Sequence, residues 1–579
     1  MRASIPSVAA VFSVLLSAWS QQVNALQQPF ILPTSVGGGV NRLNNDPTGG
    51  DISTTLRIEL PLFGGALDTA QASLLDAGKE KAVETRIAAH SSLHKGASGF
   101  TTLTHENFPH LSVRIRQHGG LALAKRNDSD ADAEAWCDPT VKSWTGYIDT
   151  IDGKSLWFQF FESRSDPEKD PLLLWTNGGP GCSSAIGLFQ ELGPCLVPLQ
   201  NGNPSPGPPI NGTTRNPHSW NSASSIIFID QPVDVGFSYS RYGVHTYDAD
   251  QGARDLYAFL RIFFSAFPRF GANEFVLTSE SYGGRYAPRY AAEIVDRNAE
   301  VLQKAKGEGR EVRVGEVINF KAVAIGNGLT APAEQATSEY DMLCTRKGGA
   351  KTPYLPISAC KGMAVWKKRC DEILPRVCRD NFAFDDCIMH IDACQDGISG
   401  PYASTGRNPY NMEDDCKAGL MPNLCYDVVG DIKAYLDRPD VRELIGAASL
   451  SQIGNFTTCN WDVNSGFARS GDVFVDNVGY ISGLLERGIR VLIYVGALDV
   501  SCNWIGNKRW LFNMDWSGKD AFLAAENRGW LVNGEVAGET QSADGLTWAT
   551  IHGAGHMVPY DKPVQAKNLI YRWLAGEPL

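Results

Sequence analysis

Short, nearly continuous apolar runs recur along the chain from about residue 143 and end at glycine, asparagine or proline. Strands that are buried on both faces of a mostly parallel sheet have this pattern. The clearest runs cover residues 171–176, 225–230, 274–279, 322–325, 490–495 and 546–551. We therefore expect these segments to form the central strands of one sheet.

Segments with helical patterns lie between the apolar runs, at about 248–267, 284–304, 472–487 and 563–575. This alternation predicts an α/β fold in which helices flank a mostly parallel sheet. It breaks at about 341–450, where eight cysteines are concentrated: Cys344, Cys360, Cys370, Cys378, Cys387, Cys394, Cys416 and Cys425. We interpret this segment as a loop-rich insertion over one edge of the sheet, held together by disulfides.

The N-terminus has the pattern of a secretory signal peptide over residues 1–25. An early arginine is followed by a short apolar run and by the small-residue sequence Val23-Asn-Ala25. A buried first helix is the alternative. This run is too short to span a membrane and no later run approaches 18 residues, so we expect no membrane span.

Residues 26–126 contain no cysteine and end in the dibasic pair Lys125-Arg126. This pattern indicates a propeptide that a processing protease removes, which leaves 127–579 as the functional domain. A charged surface turn is the alternative interpretation of the basic pair.

Composition limits the possible partners. With 579 residues, 43% apolar content and 14 tryptophans, the chain can bury a sizeable core. The formal net charge of -12 gives no electrostatic reason to expect nucleic acid as a partner.

Secretory features appear in the glycosylation sequons and the cysteines. The sequons begin at Asn127, Asn211 and Asn455. The odd count of 13 cysteines predicts disulfides and at least one cysteine without a partner in the chain. A zinc cluster is the competing interpretation, but the insertion has no paired C-x-x-C and only His390 nearby, so we expect no metal and no cofactor.

The stretch Thr278-Ser-Glu-Ser-Tyr-Gly-Gly-Arg-Tyr-Ala-Pro288 resembles the strand-to-helix turn that presents a serine nucleophile. Ser281 lies where an apolar run ends and a helical pattern begins. Gly283 and Gly284 provide the small downstream residues, but Ser279 stands where the G-x-S-x-G pattern has glycine. An ordinary turn serine is the alternative.

A nucleophilic serine needs a base and an orienting carboxylate, and this fold places them later in the chain in the order Asp, His. Asp499 follows the run at 490–495, and His556 lies in a glycine-rich loop after the run at 546–551. His552 is a rival base, but it follows its strand immediately, so we favour His556.

The sequence Asn177-Gly-Gly-Pro-Gly-Cys-Ser-Ser184 directly follows another apolar run. Adjacent glycines let backbone N–H groups approach a developing oxyanion. A tight turn is the simpler alternative, and a phosphate loop lacks its Lys-Ser/Thr ending.

These motifs together resemble those of the serine carboxypeptidases, and the resemblance to fungal vacuolar carboxypeptidase Y-type enzymes runs from about Cys137 to the C-terminus. The motifs are Asn177–Ser184, Glu280-Ser-Tyr-Gly-Gly284, Asp499-Val-Ser-Cys-Asn-Trp504 and Gly555-His-Met-Val-Pro559. The resemblance implies an α/β-hydrolase fold with the insertion as a lid over the active site. It also implies hydrolysis of peptide bonds at the C-termini of peptides and proteins.

The resemblance also implies a role for each site residue. Ser281 would be the nucleophile, His556 the base and Asp499 the group that orients it. The backbone N–H groups of Gly179 and Tyr282 would form the oxyanion hole. The substrate carboxylate would be bound by Trp175, Asn177, Gly178, Glu191 and Glu280, with Cys502 and Met557 near the substrate side-chain subsites.

Two close glutamates cannot both ionise easily, so one would keep its proton. The protonated carboxyl group could then donate a hydrogen bond to the substrate carboxylate. We therefore expect an acidic pH optimum for peptide hydrolysis. An acyltransferase or another hydrolase on the same fold is one alternative, and a non-catalytic binding or protective glycoprotein is another.

The resemblance further implies the cysteine pairing and leaves two departures. The implied disulfides are Cys182–Cys459, Cys344–Cys360, Cys370–Cys394, Cys378–Cys387 and Cys416–Cys425, with Cys502 free. Cys137 and Cys195 lie outside that pattern, and we propose that they pair with each other. Ser279 replaces a usual glycine, and Arg285 stands where histidine is common. Leu26-Gln-Gln-Pro-Phe30 resembles a vacuolar sorting signal, so we favour the vacuole over extracellular secretion.

Overall fold

The structure is a computed structural model, and it describes residues 94–95, 101–105, 108–119, 136–150, 152–199, 212–313, 315–417, 419–420 and 423–579. The predicted signal peptide, the pair Lys125-Arg126 and the sequons at Asn127 and Asn211 lie outside the described residues. The third sequon is described, and its Asn455 is exposed.

The strands of the described residues belong to one large mixed sheet and one small ribbon. Their bounds are β1 His94–Lys95, β2 Thr101–His105, β3 Phe108–His118, β4 Ser143–Asp149, β5 Lys154–Phe161, β6 Leu172–Thr176, β7 Cys195–Leu196, β8 Thr214–Arg215, β9 Ser225–Ile229, β10 Tyr239–Ser240, β11 Phe275–Glu280, β12 Phe320–Gly326, β13 Arg490–Gly496, β14 Arg528–Val532, β15 Glu535–Ala543 and β16 Leu546–Ile551.

The large sheet has the order β1-β2-β3-β4-β5-β9-β6-β11-β12-β13-β16-β15-β14, with β10 paired to β5, while β7 and β8 form the ribbon. The six strands from β9 to β16 in this order are parallel to one another, and antiparallel strands extend the sheet on both sides. All six correspond to the apolar runs of the sequence, so the predicted α/β fold with a mostly parallel central sheet is confirmed.

The α-helices of the described residues lie between and after these strands. Their bounds are α1 Ala249–Ala266, α2 Gly283–Gly307, α3 Pro332–Gln335, α4 Ser338–Cys344, α5 Ile357–Leu374, α6 Phe384–Ile398, α7 Gly400–Ala403, α8 Asp427–Leu436, α9 Pro439–Ile445, α10 Leu450–Ile453, α11 Trp461–Ser470, α12 Val478–Leu485, α13 Trp504–Asn513, α14 Lys519–Ala524, α15 Val558–Asp561 and α16 Pro563–Leu574.

The predicted helix at 472–487 is shorter in the structure. Asp472–Phe474 forms a separate 3₁₀ turn, and α12 begins only at Val478. Three residues, Val475, Asp476 and Asn477, separate the turn from the helix. The Asp476 side chain accepts a hydrogen bond from Val478 N at 2.7 Å, which satisfies a free N–H group at the start of the helix.

Both faces of the central strands are buried. Successive side chains of a strand point to opposite faces, so alternate residues enter different core clusters. Leu172 and Leu174 of β6 belong to the core cluster on one face, and Leu173 and Trp175 belong to the cluster on the other. Helices α1 and α2 pack on the first face and α16 packs on the second. This two-sided burial explains why the strands are continuous apolar runs.

The cysteine-rich insertion has its own apolar cluster, which includes Met363, Ile391 and Tyr402. This cluster also contains Val500, which follows Asp499. Backbone N–H groups of Val500 and Ser501 both donate to the Pro409 carbonyl at 3.1 Å. The insertion therefore packs against the loop that follows β13.

Six disulfides are present among the described residues, and Cys502 is the free cysteine there. They join the same pairs that the resemblance implied, together with the pair proposed separately: Cys137–Cys195, Cys182–Cys459, Cys344–Cys360, Cys370–Cys394, Cys378–Cys387 and Cys416–Cys425. Within the described part of the chain, no helix has the length and apolar character that a membrane crossing requires.

Candidate active site

The candidate catalytic residues lie where neighbouring parallel strands end. Ser281 directly follows β11, whose last residue Glu280 pairs in register with Gly326 of β12. Asp499 follows β13 by three residues, and His556 follows β16 by five. The carboxyl ends of adjacent parallel strands meet at one edge, so the topology brings these loops together.

The turn at Ser281 has the strained backbone of a nucleophile elbow. Ser281 has a φ of 61°, in the left-handed region that non-glycine residues rarely adopt. Its N–H donates to the Gly326 carbonyl at 3.0 Å, and its carbonyl accepts from Leu329 N at 2.9 Å. The end of β12 and the residues directly after it therefore hold the serine in this conformation.

Ser279 fits the elbow because the residue opposite is glycine. A Cβ atom added to Gly283 would lie 2.4 Å from Ser279 Cβ and 2.6 Å from its Oγ. The extra hydroxymethyl group thus fills space that Gly283 leaves open. The space beside Gly283 therefore accommodates the departure from the usual glycine.

His556 and Asp499 form a buried pair. His556 Nδ1 lies 2.7 Å from Asp499 Oδ2, and their side chains are 3% and 0% exposed. A carboxylate at Nδ1 favours the tautomer that leaves Nε2 free to accept a proton. The rival His552 is exposed, so burial as well as pairing distinguishes the two histidines.

Asn327 and Tyr410 also position this pair, and sequence reasoning missed both. Asn327 Nδ2 donates to Asp499 Oδ2 at 2.7 Å. The backbone N–H of His556 donates to the backbone carbonyl of Tyr410 at 2.7 Å, and the centroids of the two side-chain rings lie 4.9 Å apart. The place of Asn327 directly after the β12 run was a usable signal. Tyr410 lies in the insertion and gave no local signal.

Cys502 lies beside the same carboxylate. Its N–H donates to Asp499 Oδ2 at 3.3 Å, and its side chain is buried. Burial and the nearby Asp499 charge raise the pKa of the Cys502 thiol well above its usual range, so the thiol stays protonated. Asp499, Cys502 and His556 are also the one group of described residues whose ligand atoms are close enough to hold a metal, within 4.8 Å of one another.

The glycine turn after β6 lies directly against the elbow. A Cβ atom added to Gly178 would lie 2.4 Å from Tyr282 N and 2.8 Å from Ser281 Cβ. Gly179 has a φ of 108°, which favours glycine. The Gly178–Gly179 backbone can therefore approach the N–H of Tyr282 closely, as an oxyanion hole requires.

Asn177 is held in one orientation by groups around it. Its Oδ1 accepts from Trp175 Nε1 at 2.8 Å and from Gly187 N at 2.9 Å. Its Nδ2 is left to donate to Glu191 Oε1 at 3.3 Å. Asn177 thus links the glycine turn to the buried carboxyl group of Glu191.

Glu191 and Glu280 form a pair of buried carboxyl groups, each 2% exposed. Burial raises the pKa of Glu191, and burial together with the Glu191 charge raises the pKa of Glu280 well above its usual range. Apart from the contact between the two carboxyl groups, neither Oε2 atom has a hydrogen-bond partner in the described part of the chain. The pair therefore holds a proton at acidic pH, and the two carboxyl groups can share it.

Met557 directly follows His556 and is buried, at 3% exposure. Gln190 Nε2 lies 3.0 Å from its sulfur atom. This contact joins Met557 to the helical turn that carries Glu191.

The second departure is Arg285, which stands where histidine is common. It is fully buried, and its guanidinium donates to the backbone carbonyls of Asp472 and Val475. The Tyr282 hydroxyl donates to Asp472 Oδ2 at 2.6 Å. Arg285 thus fixes the 3₁₀ turn that holds the side chain of Tyr282, the residue after Ser281.

Comparison with known proteins identifies the family of the chain. The family model described as serine carboxypeptidase matches residues 135–576. Carboxypeptidase Y of Candida albicans is 37% identical over 442 residues, which cover 76% of this chain and 74% of that protein. Carboxypeptidase Y of Saccharomyces cerevisiae is 37% identical over 448 residues, which cover 76% of each chain.

A solved structure shares the fold. The crystal structure of Kex1(delta)p, a prohormone-processing carboxypeptidase from Saccharomyces cerevisiae, matches with a TM-score of 0.61. The match covers 80% of this chain and 92% of that chain at 21% sequence identity. This likeness extends the family match to the three-dimensional architecture.

Proposed function

The chain belongs to the serine carboxypeptidase family, and on that premise we propose which of its residues carry the reaction. The protein is a serine-type carboxypeptidase, a hydrolase that releases C-terminal amino acids from peptides and proteins. We assign Ser281 as the nucleophile, His556 as the base and Asp499 as its orienting partner. The backbone N–H groups of Gly179 and Tyr282 form the oxyanion hole.

In the proposed mechanism, Ser281 Oγ attacks the carbonyl carbon of the last peptide bond while His556 Nε2 takes its proton. The tetrahedral oxyanion accepts hydrogen bonds from the Gly179 and Tyr282 N–H groups. His556 then donates the proton to the leaving amine, and the C–N bond breaks. The terminal amino acid then leaves. Water attacks the acyl-enzyme while His556 takes a proton from it, and His556 returns that proton to Ser281 Oγ as the acyl group is released.

The observation that carries the assignment to chain ends is the buried pair Glu191 and Glu280. Glu280 directly precedes Ser281, and its carboxyl group hydrogen-bonds that of Glu191, so the pair lies next to the nucleophile turn. A protonated carboxyl group and the Asn177 amide can both donate to a substrate carboxylate, with Trp175 and Gly178 shaping the site. A hydrolase for internal peptide bonds has no use for such a pair.

Covalent labelling tests the nucleophile. A fluorophosphonate should label the wild-type enzyme at Ser281, and Ser281→Ala should lose labelling and at least about 10⁴-fold in kcat. Ser279→Ala is the matched control two residues away, since the Ser279 hydroxyl is buried without a partner. It should keep both labelling and activity. Labelling of Ser281→Ala at the wild-type rate would refute the assignment.

We also propose that a processing protease cuts at Lys125-Arg126 and that the enzyme acts at acidic pH. The sorting-signal resemblance at Leu26–Phe30 supports the vacuole, with secretion as the alternative. The exposed Asn455 supports glycosylation there. Sequencing the N-terminus of the active enzyme tests the cut, and microscopy of a tagged chain tests the destination.

A further inference from the structure

The predicted propeptide covers residues 26–126, but strand β3 within it belongs to the large sheet. Phe108–His118 pairs antiparallel with β4, in register from Ser112 opposite Asp149 to His118 opposite Ser143. Strand β4 lies in the predicted functional domain. A cut at Lys125-Arg126 would therefore sever the covalent link between two neighbouring strands of one sheet.

One face of β3 belongs to the core of the functional domain. Val113 and Ile115 are 2% and 8% exposed, and they share a core cluster with Trp144 and Ile148 of β4. Both are β-branched residues that suit a strand. Removal of β3 would expose the apolar surface of β4 to water as well as the unpaired edge of the strand.

The other face of β3 carries a charge pair. Arg114 Nε donates to Asp149 Oδ2 and Arg114 Nη2 donates to Asp149 Oδ1, both at 2.8 Å. The guanidinium also lies 4.6 Å from the centre of the Tyr147 ring. The Asp149 side chain is only 9% exposed, so its charge depends on such partners. A bidentate pair of this kind fixes the register of the strand.

The end of β3 is buried as well. His118 is 2% exposed, and its Nε2 lies 2.8 Å from Thr145 Oγ1. Its ring lies 5.4 Å from the ring of Trp136. Arg116, two residues before His118, donates to the Leu444 carbonyl at 3.0 Å. The strand thus contacts the functional domain at β4 and again at the C-terminal end of α9.

We propose that β3 remains bound to the enzyme after propeptide cleavage, as a non-covalent strand of the central sheet. The proposal rests on the proposed cut at Lys125-Arg126. Strands β4, β5, β9 and β6 separate β3 from β11 and its nucleophile turn, so a bound strand leaves the active site uncovered. The active enzyme is then a two-chain complex in which the functional domain binds a peptide of its own precursor by strand addition.

Controlled cleavage of the full chain tests retention. The recognition sequence of a site-specific protease is inserted between Lys125 and Arg126, and cleavage is followed on denaturing gels. Native size exclusion and mass spectrometry of the enzyme peak should then find a fragment that contains residues 108–118 at one copy per enzyme. Elution of every such fragment away from the fully cut enzyme would overturn the proposal.

Variants separate β3 from the rest of the propeptide. Arg114→Ala combined with Ile115→Ser should release at least about ten times more fragment after the same cut. Gln117→Ala is the matched control, because Gln117 is exposed on the same strand, and it should retain the fragment. Fluorophosphonate labelling before the cut shows that each variant is folded. Equal retention by both variants would show that other propeptide residues hold the fragment, and would refute the role of β3.

The natural processing site is tested separately. N-terminal sequencing of the enzyme from its own secretory pathway shows whether the chain is cut at Lys125-Arg126. A different natural N-terminus would refute that part of the proposed function. It would leave the retention measured with the engineered cut unchanged, so the two failures are distinguishable.

Discussion

At the scale of single residues, the carboxyl groups of Glu191 and Glu280 depend on burial for their chemistry. Carboxyl groups in water are ionised above pH 5 and would repel a substrate carboxylate. Burial raises the pKa of both groups, and the nearby Glu191 charge raises that of Glu280 further. A shared proton then turns two acceptors into a donor that can bind an anion.

This residue-scale argument predicts the pH dependence. Because both pKa values are raised, the proton is bound at pH 5 and is lost as the pH rises through the raised values. Peptides with a free C-terminus should therefore show a rise in KM toward alkaline pH, while C-terminally amidated or esterified substrates should not. Steady-state kinetics from pH 4.5 to 8.5 on matched substrates measures this difference.

The variant Glu280→Gln gives the control for that prediction. Glutamine is a permanent neutral donor, so the KM for free peptides should become less dependent on pH. Identical pH profiles for both substrate classes in the wild-type enzyme would contradict the proposed role of the pair.

At the scale of elements, the active site depends on how closely two strand-to-helix turns approach each other. Gly178 of one turn leaves no room for a side chain against Tyr282 N of the other. Gly283 makes the corresponding space for Ser279 within the second turn. The glycines thus act through packing between turns rather than through flexibility.

Gly178→Ala should therefore separate the two turns. A Cβ atom 2.4 Å from Tyr282 N must displace the backbone. A shift on the order of 1 Å in the oxyanion hole lowers kcat/KM by about 100-fold. Gly362→Ala in α5 is the control, because nothing lies within 4 Å of its added Cβ. Wild-type kcat/KM in Gly178→Ala would contradict this geometry.

At the scale of the whole molecule, disulfides connect segments that are distant in sequence. Cys182 beside the glycine turn is joined to Cys459, at a sequence separation of 277. The bridge between Cys416 and Cys425 in the insertion spans a separation of only 9. In the chain-entropy model, a longer closed loop restricts the unfolded chain more strongly.

Removing the two bridges should therefore have unequal costs. The double variant Cys182→Ala with Cys459→Ala should lose about 5 kcal/mol of unfolding free energy, and Cys416→Ala with Cys425→Ala about 2.5 kcal/mol. Urea denaturation followed by tryptophan fluorescence measures both. A smaller loss for the 182–459 pair than for the 416–425 pair would contradict the loop argument.

The sequence by itself determined the features that local patterns encode. Nearly continuous apolar runs specified the central strands, since a strand buried on both faces lacks the alternation of polar and apolar residues. The strand-to-helix position of Ser281 and the post-strand positions of Asp499 and His556 followed from the same periodicity. The resemblance of four motifs to those of the serine carboxypeptidases indicated the family.

Only the tertiary structure decided the contacts between segments that are distant in the chain. Asn327 and Tyr410 reach the Asp499–His556 pair from β12 and from the insertion, and no local pattern marks that approach. The place of β3 was not evident from the sequence either, because its residues lie in the segment interpreted as a removable propeptide. Nothing in that segment indicates that it pairs with a strand beyond the proposed cleavage site. The pairing of β3 with β4 forms only with the sheet. The same is true of the contact between Arg114 and the buried carboxylate of Asp149.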